Sequence, residues 1–223
     1  MTSLRLAACA ALALCLAPAA GAQGSSVTSP DGRTVVSLAV TDGQLRWSVA
    51  RDGRPVVMPS RLGFTFRHAS ALGDSLRLAD SVRSEFDERF TMPLGEVATV
   101  RDQHRELRVK VVETTAAARE FWVTVRVFDD GLGFRYELPA QPNLKDFEIM
   151  DELTEFSMAE DMKAWWIPAN ISTPDRQEML FSSGHISKLD LVQTPLTLVG
   201  TSGLHVVIHE ANLVDYAGMA LQG

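Results

Sequence analysis

Phe121-Trp122-Val123-Thr124-Val125-Arg126-Val127-Phe128 carries an apolar side chain at every odd position and runs into Asp129-Asp130-Gly131. A second alternating run, Phe134-Arg135-Tyr136-Glu137-Leu138, follows at once. Side chains of an extended chain point alternately to its two faces, so this period of two predicts a half-buried strand, a turn and a strand pairing back. Upstream, Leu107-Arg108-Val109-Lys110-Val111 repeats the pattern. Nearer the N-terminus, Thr34 to Val40 is β-branched and apolar, and Leu45 to Ala50 alternates. Asp42-Gly43 and Asp52-Gly53 bracket that second run, and Pro55-Val56-Val57 comes after. Asp-Gly between apolar runs is a strong hairpin signal, because both residues tolerate the positive φ of a tight turn. Leu62, Phe64 and Phe66 alternate with Gly63 and Thr65, predicting one more strand. Leu196-Thr197-Leu198-Val199 and His205-Val206-Val207-Ile208 flank Gly200-Thr201-Ser202-Gly203 as a last hairpin. Residues 68–95 are polar and read as a long excursion between strands. Between Asp151 and Trp166 the spacing of Leu153, Phe156, Met158, Met162 and Trp165 also fits a helix, but strand and loop are favoured. Recurrent strands, frequent turns and no sustained helical period predict an all-β, antiparallel sandwich.

The 223 residues are 46% apolar and 22% charged, which excludes disordered, collagen-like and multi-span membrane classes. The formal charge is −7, and only 4 of the 21 basic residues are Lys, with no polybasic run. That balance argues against nucleic acid as a partner. Behind Arg5, the apolar run from Leu6 to Ala17 is too short to span a bilayer. Ala20-Gly21-Ala22 fits the small-x-small rule, so residues 1–22 read as a signal peptide cleaved before Gln23. Residues 23–223 then form one domain of a secreted or periplasmic protein, with no membrane span. Both cysteines, Cys9 and Cys15, fall inside the signal. The mature chain therefore has neither disulfides nor thiol chemistry.

Candidate chemistry is sparse. No phosphate-cradling glycine loop, zinc spacing or nucleophile elbow occurs. His104, in Arg101-Asp102-Gln103-His104-Arg105-Glu106, reads as part of a solvated, ion-paired turn. His205 and His209 share one side of a strand but stand ~13 Å apart at its rise per residue, too far to share one ion. Glu210 follows Val206-Val207-Ile208-His209. A carboxylate at the end of a buried strand is either ion-paired or a hard-cation ligand, and the chain itself leaves both open. In Ala164-Trp165-Trp166-Ile167-Pro168, alternation turns one indole inward and one outward. The outward one is a candidate sugar-stacking surface, or merely a rim residue. Asn170 opens a polar stretch with Asp175, Arg176, Gln177 and Glu178 that lines a rim or is plain surface loop, and Asn170-Ile171-Ser172 is also a glycosylation sequon.

Eight pieces in order resemble the N-terminal domain of glycoside hydrolase family 97. They are Ser29-Pro30-Asp31-Gly32, Trp47-Ser48-Val49 with Asp52-Gly53-Arg54-Pro55-Val56, Ser60-Arg61-Leu62-Gly63 and Arg101 to Leu107. Phe128 to Tyr136, Glu152-Leu153-Thr154-Glu155-Phe156, Ala164 to Pro168 and His209-Glu210-Ala211-Asn212-Leu213-Val214-Asp215-Tyr216 complete the series. The resemblance implies a galactose-mutarotase-like β-super-sandwich that completes an active-site wall in an exported, calcium-dependent α-glucosidase or α-galactosidase. It implies an α-linked oligosaccharide as partner, for which Trp165, Trp166 and Asn170, singled out above by their own chemistry, are the substrate-binding candidates. It implies a calcium ion held mostly by glutamates of a catalytic (β/α)8 barrel, to which Glu210 adds one ligand. No alternating βα pattern follows in this sequence, so the barrel is expected beyond Gly223, and the catalytic acid and base are not assigned here. Two other functions remain: a stand-alone carbohydrate-binding module, and a mutarotase-like sugar epimerase using His205, His209 and Glu210.

Overall fold

A computed structural model describes residues 23–169 and 179–223. Residues 1–22, read as the signal peptide, lie outside the described residues, as do Asn170 and the polar stretch through Glu178.

The first sheet is a meander of β1 (Gln23–Thr28), β2 (Thr34–Thr41), β3 (Gln44–Arg51) and β4 (Arg54–Arg61). Its two tight turns are the Asp-Gly pairs. Asp42 and Gly43 have φ of 52° and 76°, and Asp52 and Gly53 have 51° and 75°. Positive φ at both central residues is the type I′ turn, whose twist matches that of the flanking strands. At Gly43 there is a second constraint, since a Cβ would lie 3.1 Å from the Ser75 backbone nitrogen.

The second sheet is β6 (Leu76–Thr91), β7 (Thr99–Glu113), β8 (Glu120–Val127) and β9 (Leu132–Glu137), again antiparallel and in sequence order. Phe121, Val123, Val125 and Val127 all point inward from β8, as the alternation predicts. They share one core with Leu107, Val109 and Val111 of β7 and with Val36, Leu38, Leu45 and Trp47 of the first sheet. Full burial of each such side chain contributes roughly 1.5–3 kcal/mol. Two sheets closed face to face on one apolar core make the sandwich.

Residues 68–95 are not an irregular excursion. Most of the segment is β6, a 16-residue strand paired with β7 from Leu76↔Glu113 to Thr91↔Thr99. Its alternation is hidden because β6 is a sheet edge and almost all of its side chains are solvent-exposed. The strand is held by its backbone ladder, which needs no apolar face. Cross-strand ion pairs line it, Glu85–Arg105 at 2.9 Å and Asp87–Arg101 at 2.6 Å. Residues 101–106 are likewise strand rather than turn, and His104 is 2% exposed. Its neighbours in sequence are charged, but its neighbours in space are rings.

The run from Leu62 to Phe66 is shorter than read. Only Phe64–Phe66 is a strand, β5, paired with β10 (Ile149–Glu152). The chain breaks at Gly63, where a Cβ would sit 2.7 Å from the Leu72 carbonyl oxygen. After β10 the chain runs extended beneath β4, with the Trp47 indole N–H donating to the Glu155 carbonyl at 2.9 Å. Strand and loop thus describe residues 151–166, without a helix.

The last third forms a smaller sheet in the order β12 (Ser182–His185), β11 (Lys163–Trp166), β14 (Leu196–Val199) and β15 (His205–Ile208). A ribbon of β13 (Leu191–Gln193) and β16 (Ala220–Gln222) lies beside it. Met162, Ala164, Leu196, Leu198 and Ile208 make its core, joined to the main core through Phe156, Met158 and Val206. Among the described residues no helix is long and apolar enough to cross a membrane.

Candidate functional site

The chain leaves the smaller sheet at Ile208 and enters the β13–β16 ribbon at Ala220. Residues 209–219 between them carry Glu210 on an exposed loop. Asn212 and Asp215 both have φ of 52°. These two residue types visit the left-handed region more readily than other side chains, because a short polar group bonds locally.

Two side-chain hydrogen bonds shape the loop. The Met219 N–H donates to Glu210 Oε2 at 2.9 Å, tying the loop's end to its beginning. The Tyr216 hydroxyl donates to Glu152 Oε2 at 3.0 Å, tying the loop to β10. Glu152 Oε1 accepts from Thr154 Oγ1 at 2.5 Å. Thr154 has one hydroxyl hydrogen and spends it on Glu152, so the Tyr136 hydroxyl, 2.7 Å from Thr154 Oγ1, is the donor there. Tyr136 packs edge-on against Phe64 and Phe134. Burial drives both phenols far above the ordinary tyrosine range, and the Glu152 charge adds to the effect on each. Both therefore remain hydroxyl donors throughout the neutral range. Sequence reading quoted Glu152 and Tyr216 within motifs but assigned neither a role, because 64 residues separate them.

Leu213, Val214 and Tyr216 are 47%, 74% and 50% exposed on the same loop. Clustered apolar exposure of this kind marks an interaction surface.

The smaller sheet carries Trp165 and Trp166 and leads into the Glu210 loop. Trp165 lies opposite Thr197, which lies opposite Val207, so Trp165 and Val207 share a row and a face two strand spacings apart, about 10 Å. Trp165 is on the outer face, with Lys163 Nζ 4.7 Å from its ring centroid. Trp166 is on the inner face, against the smaller core, and a Cβ at Gly184 would lie 3.2 Å from its ring. Both are half-buried. Asn170, the third substrate-binding candidate, is outside the described residues.

The histidine geometry differs from the expectation. Because β15 ends at Ile208, His209 is off the strand, and the shared side with His205 does not apply. His205 is exposed, with Nδ1 3.0 Å from the Gly203 carbonyl of its own turn. A cavity of about 560 Å³ lies elsewhere, lined by Phe66, His68, Lys145 and Phe147 among others, and includes none of the site candidates.

Glu210 suits a hard cation in part. It is a half-buried carboxylate with Oε2 engaged by Met219, and no described residue donates to Oε1. Calcium takes 6–8 oxygen ligands. Among the described residues no group of three or more His, Asp or Glu gathers into a metal cage. A calcium ion at Glu210 would need further oxygen ligands beyond that carboxylate.

Fold and site together define an antiparallel sandwich module that presents the Glu210 carboxylate on an exposed loop with apolar side chains. The chain belongs to the glycoside hydrolase 97 family: the region described as Glycosyl-hydrolase 97 N-terminal matches residues 27–223. A retaining alpha-galactosidase from Bacteroides thetaiotaomicron is 23% identical over 208 residues, covering 88% of this chain and 30% of the relative. A probable retaining alpha-galactosidase from Streptomyces bingchenggensis is 32% identical over 174 residues, covering 73% of this chain and 26% of the relative. The chain thus spans less than a third of the length of these curated relatives. Among solved structures, a glycoside hydrolase family 97 enzyme from Pseudoalteromonas sp. strain K8, in complex with acarbose, superposes with a TM-score of 0.84 at 34% identity. That match covers 89% of this chain and 30% of the enzyme, and the enzyme is also known in complex with panose. A beta-arabinopyranosidase, at TM-score 0.65 and 18% identity, shares the fold.

Proposed function

We propose that this chain is the N-terminal domain of an exported, calcium-dependent α-glycosidase, in which it completes one wall of the active site and contributes Glu210 to the metal. The supporting observation is the Glu210 loop: a carboxylate with one oxygen engaged and the other not, on a loop that also exposes Leu213 and Val214. Bound calcium would supply a positive charge at the sugar. Glu210 would offer it an oxygen, and Met219 N–H would keep that carboxylate in one orientation. Leu213 and Val214 would be covered by the catalytic barrel that holds the other ligands. Trp165, on the outer face, and Asn170 would line the substrate side, whereas Trp166 packs on the smaller core. The substrate class is an α-linked oligosaccharide, in keeping with the α-galactosidase names of the curated relatives and the panose and acarbose complexes of the solved one. The N-terminal apolar segment supports export to the periplasm or beyond.

The reading frame is the first check: DNA past codon 223 should encode a barrel of several hundred residues, and an immediate stop codon would remove the glycosidase reading. In the full-length protein, Glu210→Ala should raise the calcium needed for half-activation after chelation at least tenfold. Unchanged calcium activation would take Glu210 out of the metal site. If the isolated domain instead binds oligosaccharide, with heat and a change in tryptophan fluorescence, it acts as a carbohydrate-binding module.

A further inference from the structure

We infer that Glu152 and Tyr216 are positioning residues for Glu210, their hydrogen bond pinning the loop so that the Glu210 carboxylate is presented to a divalent cation. This rests on Glu210 being a metal ligand. Residues 209–219 make no backbone–backbone hydrogen bond among the described residues. A segment without a ladder is fixed only by its side-chain ties and by packing. Packing holds only the end of the loop, where Met219 lies against the smaller core, while Leu213 and Val214 farther along face solvent. The tie from Met219 N–H to Glu210 Oε2 joins the two ends of the loop, but it does not hold the middle of the loop against the rest of the molecule. The Tyr216–Glu152 bond does.

Glu152 is well suited to be an anchor rather than a ligand. Both of its oxygens are taken, Oε1 by Thr154 and Oε2 by Tyr216. Thr154 in turn accepts from Tyr136, whose ring packs against Phe64 and Phe134. The chain Tyr136–Thr154–Glu152–Tyr216 therefore runs from the main core to the middle of an exposed loop. Bonds of this kind, one step outside the ligand shell, orient ligands, and their loss typically costs 10–100-fold in metal affinity.

The test uses the full-length protein stripped of calcium, with calcium binding measured by titration calorimetry without substrate. Amide exchange of the Met219 peptide is the second readout. Tyr216→Phe and Glu152→Ala should each weaken calcium binding about tenfold and speed Met219 exchange, while Glu152→Gln, which keeps an acceptor oxygen, should retain most of the affinity. Excess calcium should restore kcat in Tyr216→Phe. Tyr216 is half exposed, so the fold should survive, and Glu152→Ala provides an independent removal of the same bond. Wild-type calcium affinity in both Tyr216→Phe and Glu152→Ala, with binding abolished by Glu210→Ala, would overturn the positioning role alone. Wild-type affinity in Glu210→Ala would overturn the metal reading, and this inference with it.

Discussion

The imidazole of His104 lies nearly flat on the ring of Phe86, directly across the β6–β7 ladder, with centroids 4.6 Å apart and planes 20° from parallel. A second ring, Phe128, is 5.0 Å away. His104 Nδ1 faces the Asp102 carboxylate, while the buried Nε2 has no hydrogen-bond partner among the described residues. The ring is used mainly as a flat apolar surface.

Replacing His104 should separate these contributions. His104→Ala leaves a cavity between two rings and should cost about 2–4 kcal/mol in urea denaturation. His104→Phe keeps the stack and removes an unsatisfied nitrogen, whose burial costs about 1–3 kcal/mol. Its stability should equal or exceed that of the wild type. A His104→Phe variant as unstable as His104→Ala would show that the Asp102 contact, not the stack, matters.

Arg119 and Glu113 form a buried pair, with side chains 2% and 4% exposed and two hydrogen bonds at 2.9 and 2.7 Å. The same guanidinium donates to the Ser70 and Ala71 carbonyls. Hydrogen bonding to Arg119 holds the Glu113 carboxyl below its ordinary value of 4.5. A carboxylate with a lowered folded value stabilises the protein above its unfolded value, and that stabilisation is lost as the pH falls through the folded one. Stability should therefore drop below about pH 4.5, and Glu113→Gln should flatten that part of a urea-midpoint profile. Arg119→Met leaves a buried charge unpaired and should cost about 3–5 kcal/mol at pH 7.

The adjacent tryptophans should behave differently. Trp166→Ala removes an indole packed on Gly184 and the smaller core, and should cost about 3 kcal/mol in thermal denaturation. Trp165→Ala should change stability little, yet raise KM for an α-linked oligosaccharide about fivefold in the full-length protein, near 1 kcal/mol. Unchanged KM in Trp165→Ala would mean that the Lys163-capped outer face does not meet sugar.

Legibility followed burial. The β8 alternation and the two Asp-Gly turns were readable because one face of each strand is apolar and each turn needs positive φ. The 16 residues of β6 were not, because an exposed edge strand has no apolar period. His104 was misread for the converse reason: its burial comes from Phe86 and Phe128, which its charged neighbours in sequence conceal. Glu210 was singled out through its motif, while nothing in the sequence ties Glu152 to Tyr216, 64 positions away.

The sequence by itself determined the all-β sandwich, its tight turns and the family, since each depends on local period, local φ or an ordered series of motifs. Only the tertiary structure decided that β6 is a strand, that His104 is core and that Tyr216 reaches Glu152. Those relationships join residues from 8 (Thr91 and Thr99) to 64 (Glu152 and Tyr216) positions apart, by ladders and hydrogen bonds that leave no trace in either partner's immediate neighbours.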